Sequence, residues 1–171
     1  MPRAQTTLPA PGVPHTAGER PPFPPVLMAR VGFLLAMVKG GAESICLNIL
    51  SPLGLPPRQY GLLAVLATEG ALSQQELAEW VRTDRTTMVA MIDSMEQHGW
   101  VRRERNPADR RAYLLQLTPA GKRIQARGAQ LMDRAEDELL DTLSSKEREQ
   151  LISLLGKVAA DKGRKPSEPH P

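Results

Sequence analysis

Residues 72–118 read LSQQELAEWVRTDRTTMVAMIDSMEQHGWVRRERNPADRRAYLLQLT, and this stretch specifies the architecture more closely than any other. Ser73-Gln-Gln-Glu76 is a capping box, in which the serine hydroxyl accepts from an orphan amide and the glutamate reaches back to the cap. It opens a short helix over 74–81, apolar at Leu77, Ala78 and Val81. After a turn at Arg82-Thr83, Thr83 is expected to cap a second helix over 84–98. His98-Gly99 closes that helix, because glycine is common just past a last turn and histidine suits the negative end of the dipole. Two short helices across a tight turn make a helix-turn-helix. Ala78 is small, as a close crossing requires, and Met88, Ile92 and Met95 give the second helix an inward face. Arg85, Thr86 and Thr87 are then exposed near its N-terminus, with Ala90 one turn further on. In this motif those positions meet base edges in the major groove. Arginine can fork onto guanine O6 and N7, and threonine methyls can touch thymine. The helix-start amides and the hydroxyls of Thr83, Thr86 and Thr87 can take a phosphate. The same residues would equally serve as the solvated face of an ordinary helix pair, so the flanking sequence has to decide.

Downstream of Gly99 stand Trp100-Val-Arg-Arg-Glu-Arg105, then Asn106-Pro-Ala-Asp-Arg-Arg111, then Ala112-Tyr-Leu-Leu-Gln-Leu-Thr118. The outer pieces read as short strands, with Leu115 and Leu117 alternating around Gln116, and the middle as a hairpin tip. Five arginines, Arg102, Arg103, Arg105, Arg110 and Arg111, stand against Glu104 and Asp109, a local net charge of +3 that equals the formal net charge of the whole chain. A basic hairpin directly after such a helix can send one or two arginines into an adjacent minor groove, where the potential is most negative. Arg110 and Arg111 are the candidates, Arg103 and Arg105 extend the basic stripe, and Asp109 is close enough to orient an arginine by a charge-assisted bond. A solubilising charged loop is the plainer reading, but its place in the chain favours a groove contact.

Upstream, residues 26–50 form an apolar-rich helix with Phe33, Met37, Val38, Ala42, Ile45 and Ile49 at helical spacing. Gly40-Gly41 in its middle predicts a kink or a close helix–helix approach. Pro52, Pro56 and Pro57 punctuate the connection to a helix over 57–69. Thr118, with Pro119 after it, caps a helix running to about Leu143, and Ser144-Ser-Lys-Glu147 opens a last one to about Ala160. Residues 1–25 hold eight of the sixteen prolines and read as a disordered arm, in which Arg3 and Arg20 could touch DNA. Residues 161–171 read as a second disordered tail. Aromatic residues make up only 4% of the chain, so aliphatic side chains must build the core, which favours helices. The fold class is mainly α with a small β-wing: a winged helix-turn-helix DNA-binding lobe over 57–118 plus a helical dimerisation region. The latter comprises a first dimerisation helix and connection, 26–56, and C-terminal dimerisation helices, 119–160. Leu151, Ile152, Leu154, Leu155 and Val158 make the last helix strongly apolar, so it needs cover, either by packing within the chain or by a second copy of it.

Leu72-Ser-Gln-Gln-Glu-Leu-Ala78, Asp84-Arg-Thr-Thr-Met-Val89, Met95-Glu-Gln-His-Gly-Trp-Val101, Asn106-Pro-Ala-Asp-Arg-Arg-Ala112 and Leu117-Thr-Pro-Ala-Gly121 occur in order, and together they resemble the MarR family of regulators over about 26–160. The resemblance implies a homodimeric winged-helix repressor or activator of transcription whose partner is double-stranded DNA. It aligns Asp84 to Ala90 with the recognition helix and Arg110 and Arg111 with the wing arginines. Ala90 departs from the polar or basic side chain of many members, and Gly40-Gly41 is not a family feature. The resemblance also implies a small aromatic or phenolic effector, for which Phe33, Met37 and Cys46 could line an apolar pocket; core packing is the competing reading.

Cys46 is the single cysteine, too few for an internal disulfide or a Cys-rich zinc site. As a redox switch it would need a depressed pKa and solvent access, and its neighbours are Ile45, Leu47 and the acidic Glu43. No uninterrupted apolar run reaches about 18 residues, so no membrane span or membrane partner is expected, and the N-terminus lacks a signal-peptide order, so a cytoplasmic location is. No cofactor, metal spacing or phosphate loop is legible, and His15, His98 and His170 are poorly placed for catalysis, so the chain does not read as an enzyme. A redox-sensing regulator using Cys46 and a dimeric winged-helix module that binds protein rather than DNA are the alternatives.

Overall fold

A computed structural model describes residues 23–107, 109 and 112–163, with side chains through Ala160. The chain falls into two compact units, one ending at Ser44 and one beginning at Ile45.

In the first unit the expected single helix over 26–50 is divided. Pro24 caps a one-turn helix α1, Pro25–Met28, with Pro25 at the first position, and α2 then runs Val31–Leu50 and continues into the second unit. The break falls at Ala29-Arg30, where the amides of Ala29 and Arg30 close back onto Pro25 and Leu27 and end the turn. Pro25 is therefore the first residue of a helix here, with Pro24 as its extended N-cap, rather than part of an irregular arm. Phe23 packs edge-to-face on Phe33, with centroids 5.2 Å apart. Gly40-Gly41 neither breaks nor ends α2, and a Cβ at either would meet nothing within 4 Å among the described residues. Val31–Leu53 is, contrary to the sequence expectation, long and apolar enough to cross a membrane by length and composition. Lys39 and Glu43 interrupt the apolar run but form an i,i+4 ion pair at 2.8 Å, and the remaining side chains keep the average high.

The second unit holds the core. After a 3₁₀ turn, Ser51–Leu53, come α3 (Pro57–Glu69), β1 (Leu72–Ser73), α4 (Gln74–Val81), α5 (Arg85–Gln97), β2 (Val101–Arg105), β3 (Tyr113–Leu117), α6 (Pro119–Leu139) and α7 (Ser145–Gly163). The strands form one antiparallel sheet in the order β1-β3-β2. The two-residue β1 was not expected; it pairs Leu72 with Leu115 and Ser73 with Leu114. Leu50, Leu55, Leu62, Leu63, Leu66, Leu77, Met88, Ile92, Met95, Trp100, Val101 and Leu115 make the core, an almost wholly aliphatic one as the composition required. α6 ends at Leu139, short of the expected Leu143, and α7 extends past Ala160 into the segment expected to be a tail. Ile152, Leu154, Leu155 and Val158 on α7 stay exposed in the single chain, as do Val31, Leu35, Met37 and Val38 on α2.

Candidate nucleic-acid interface

The Ser73 box forms as the sequence predicts. Glu76 donates its amide to Ser73 Oγ (3.2 Å), and Ser73 donates its amide to Glu76 Oε2 (2.8 Å). At the other end of α4, Arg82 adopts the left-handed conformation (φ 49°, ψ 51°) and turns the chain toward α5. A non-glycine residue pays about 1–2 kcal/mol for that conformation. Its effect is to bring Asp84, not Thr83, to the cap of α5. Asp84 Oδ1 accepts from the Thr87 amide at 2.9 Å, which corrects the expected Thr83 cap. A carboxylate is the stronger acceptor, and its charge suits the positive end of the dipole.

The Thr87 hydroxyl, and then its amide, hold the Asp84 carboxyl below its ordinary value. A group with a depressed folded pKa stabilises fully above its unfolded value, near 4, and loses that contribution as pH falls through the lower folded value. Glu76 and Glu147 are depressed in the same sense by Ser73 and Ser144. The melting temperature is therefore expected to fall on acidification below about pH 4. Asp84→Asn, whose amide caps well without titrating, should flatten part of that slope. Melting curves across the acid range check this, and identical slopes for the two proteins would remove the cap from the account.

The far end of α5 closes as expected. Gly99 is left-handed (φ 67°), its amide bonds Glu96 O (2.8 Å) and the Trp100 amide bonds Met95 O (2.9 Å), a Schellman closure. His98 Nδ1 lies 2.7 Å from Ser94 O, and its ring stacks on Trp100 at 4.6 Å.

Between these ends Met88, Ile92 and Met95 are fully buried. Arg85, Thr86, Val89 and Ala90 are exposed, Thr83 and Thr87 half-buried. At 100° per residue Arg85, Val89, Asp93, Thr86 and Ala90 span one arc of about 140°, with Arg85 bordering the buried face and Thr86 and Ala90 opposite it. Val89 was missed in the sequence, although it stands one turn past Arg85. Among the described residues the Arg85 side chain has neither an ion pair nor a hydrogen bond.

The wing distributes its arginines unequally. In register, Val101 faces Leu117, Arg103 faces Leu115 and Arg105 faces Tyr113, one face graded from core toward tip. Arg103 turns back onto the recognition helix, its guanidinium bonding Glu96 through Nη1 and Asp93 through Nη2 at 2.8 Å. Arg105 lies 5.7 Å over the Tyr113 ring. Arg102, on the opposite face, pairs with Glu104 at 2.7 Å. The Asp109 carbonyl accepts the Ala112 amide at 2.9 Å, and the Asn106 amide bonds Ala112 O at 3.0 Å. Arg110 and Arg111 lie outside the described residues, as do Arg3 and Arg20. Phe33 (half-buried) and Met37 (exposed) belong to the first unit and Cys46 (half-buried) to the second. Burial pushes the Cys46 thiol up, the wrong direction for a reactive thiolate.

A capped helix pair, a recognition helix with an open polar stripe and a basic hairpin packed behind it define a winged helix-turn-helix protein. The MarR family profile matches residues 55–113. The chain is 33% identical over 100 residues to the transcriptional regulator HosA of Escherichia coli O111:H-, covering 58% of this chain and 74% of HosA. It is 37% identical over 105 residues to a putative transcriptional regulatory protein for the hcr operon of Thauera aromatica, covering 61% of this chain and 63% of that protein. Among solved structures it resembles the transcriptional repressor CouR bound to a 23-mer DNA duplex (32% identity, TM-score 0.74, 78% of this chain and 94% of that one). It also resembles a mutant of E. coli MarR complexed with operator DNA (30% identity, TM-score 0.70, 75% and 92%). The chain belongs to the MarR family of DNA-binding transcription regulators.

Proposed function

We propose that the chain is a ligand-responsive repressor that binds a pseudo-palindromic operator as a homodimer. The observation that carries this is the open stripe at the start of α5, where Arg85 and Thr86 stand exposed on a helix seated by Asp84. Arg85 would fork onto a guanine, with Thr86, Thr87, Val89 and Ala90 shaping an adjoining thymine-methyl surface and Thr83 taking a phosphate. Arg105, Arg110 and Arg111 would follow the hairpin into the minor groove, with Asp109 orienting an arginine.

The exposed apolar side chains of α2 and α7 support dimerisation through 26–56 and 119–160, with 57–118 as the DNA lobe. A second copy of the chain, rather than a lipid bilayer, would cover α2, which suits a cytoplasmic regulator. Half-sites would then lie about one helical turn apart. Small aromatic or phenolic molecules are the effector class that suits apolar side chains such as Phe33 and Met37, and a thermal-shift panel of phenolic acids tests it.

Selection from a randomised duplex library tests the central claim. The wild-type chain should enrich an inverted repeat, and Arg85→Ala should bind that duplex roughly 10- to 100-fold more weakly, the 1–3 kcal/mol worth of a bidentate base contact. Enrichment of no sequence over random DNA would leave a winged helix that binds something else.

A further inference from the structure

Gln59 on α3 is the buried polar side chain among the described residues, 8% exposed in a core otherwise apolar. Its Nε2 donates to Ser94 Oγ on α5 at 3.2 Å, and its Oε1 is buried with no hydrogen-bond partner among the described residues. A half-satisfied buried amide is costly, and a leucine of similar size would fill the place without that cost. Stability alone therefore does not account for a glutamine here.

What α5 needs is rotational definition. Two of its three fully buried residues are Met88 and Met95, and methionine, with three rotatable bonds, fills space without fixing orientation. Directional bonds must supply what the packing does not. Arg103 holds Asp93 and Glu96 on one side of the helix, and Gln59 holds Ser94 about 130° around from them. A rotation of about 10° moves a side chain about 5 Å from the helix axis by about 1 Å. A base-edge hydrogen bond does not survive such a shift.

We propose that Gln59 is a positioning residue for base recognition: through Ser94 it sets the rotation of α5, and so the approach of Arg85 and Thr86 to base edges. This rests on the DNA-binding reading above. Phosphate contacts tolerate a small rotation far better than base contacts do, so the signature is lost specificity at unchanged non-specific binding.

The test uses the full chain, the duplex that the wild type selects from a randomised library, and a scrambled duplex of equal length. Gln59→Leu should melt at or above the wild-type temperature. It should bind the selected duplex about tenfold more weakly and the scrambled duplex within twofold of wild type. Ser94→Ala, which leaves the buried Gln59 amide without its bond, should melt somewhat lower but show the same loss for the selected duplex and the same retention of the scrambled one. The double variant should lose no more specificity than either single one. Selection repeated with Gln59→Leu should return a blurred consensus. A preserved ratio of selected to scrambled affinity in both single variants overturns the proposal. So does a parallel loss of melting temperature and of both affinities, which marks a structural role only. Should Gln59→Leu fail to fold, Ser94→Ala decides by the same ratio. A wild-type chain that selects no duplex fails the DNA-binding reading itself, before either variant is made.

Discussion

Gly121→Ala is expected to lower the melting temperature by about 5–10 °C, although alanine is the better helix former by about 1 kcal/mol. Gly121 sits in the first turn of α6, where a Cβ would overlap the Trp100 carbonyl oxygen and come within 2.9 Å of its carbon. That carbonyl cannot retreat, because it accepts the Thr118 amide at 3.0 Å. Thr118 in turn donates its hydroxyl to Gly99 O at 2.6 Å and accepts the Gly121 amide at 3.0 Å. The close approach thus staples the start of α6 to the corner between recognition helix and wing. Overpacking of this kind costs about 1–3 kcal/mol, and each kcal/mol moves the transition of a chain this long by about 2–4 °C. Gly61→Ala is the control: it is mid-helix in α3, a Cβ there meets nothing within 4 Å among the described residues, and it should stabilise by about 0.5–1 kcal/mol. Equal melting temperatures for the two variants would show that the corner yields.

The elements around this corner were legible because each is specified locally. The Ser73 box, the Gly99 closure, the Thr118-Pro119 start and the apolar spacing of Met88, Ile92 and Met95 all lie within a few residues of the geometry they dictate. The features that escaped depend on distant partners or on neighbours competing for one role. β1 is two residues long and exists only because β3, some forty residues on, offers an edge. Thr83 and Asp84 are both good caps, and the choice between them comes from a left-handed Arg82, a conformation that no glycine announced. Ser144 illustrates a half-reading. Its amide donates to Glu147 Oε2 at 2.9 Å as expected, but its hydroxyl also donates to that oxygen, at 2.6 Å.

The wing arginines show the same limit at the site. Five in ten residues read as one basic patch. Strand alternation distinguishes Arg103 and Arg105 from Arg102, but only the register against Leu115 and Leu117 shows which face turns toward the core. The sequence grouped Arg103 with the DNA contacts; in the structure its guanidinium is occupied by two carboxylates of the recognition helix. The role we propose for it is accordingly to hold wing and helix together and to cancel negative charge beside the DNA.

That role predicts the largest effect on binding. Arg103→Ala should weaken binding to the selected duplex by about a hundredfold, roughly 3 kcal/mol, as when one partner of a charge pair is removed at an interface. Stability should change by no more than about 1 kcal/mol, because these pairs are partly exposed and screened. The asymmetry has a specific cause. Asp93 lies on the same stripe as Arg85 and Val89, and Glu96 lies one turn from it. Without Arg103 both become uncompensated anions facing a polyanion, and they repel each other at i,i+3. Arg103→Lys should recover only part of the binding, since a point charge cannot fork onto two carboxylates. The decisive comparison adds Asp93→Asn and Glu96→Gln to Arg103→Ala. Removing the orphaned charges should restore at least tenfold of the lost affinity, even though the triple variant carries three substitutions at the interface. If the triple variant binds no better than Arg103→Ala alone, the guanidinium contacts DNA itself, and the charge-cancelling role fails.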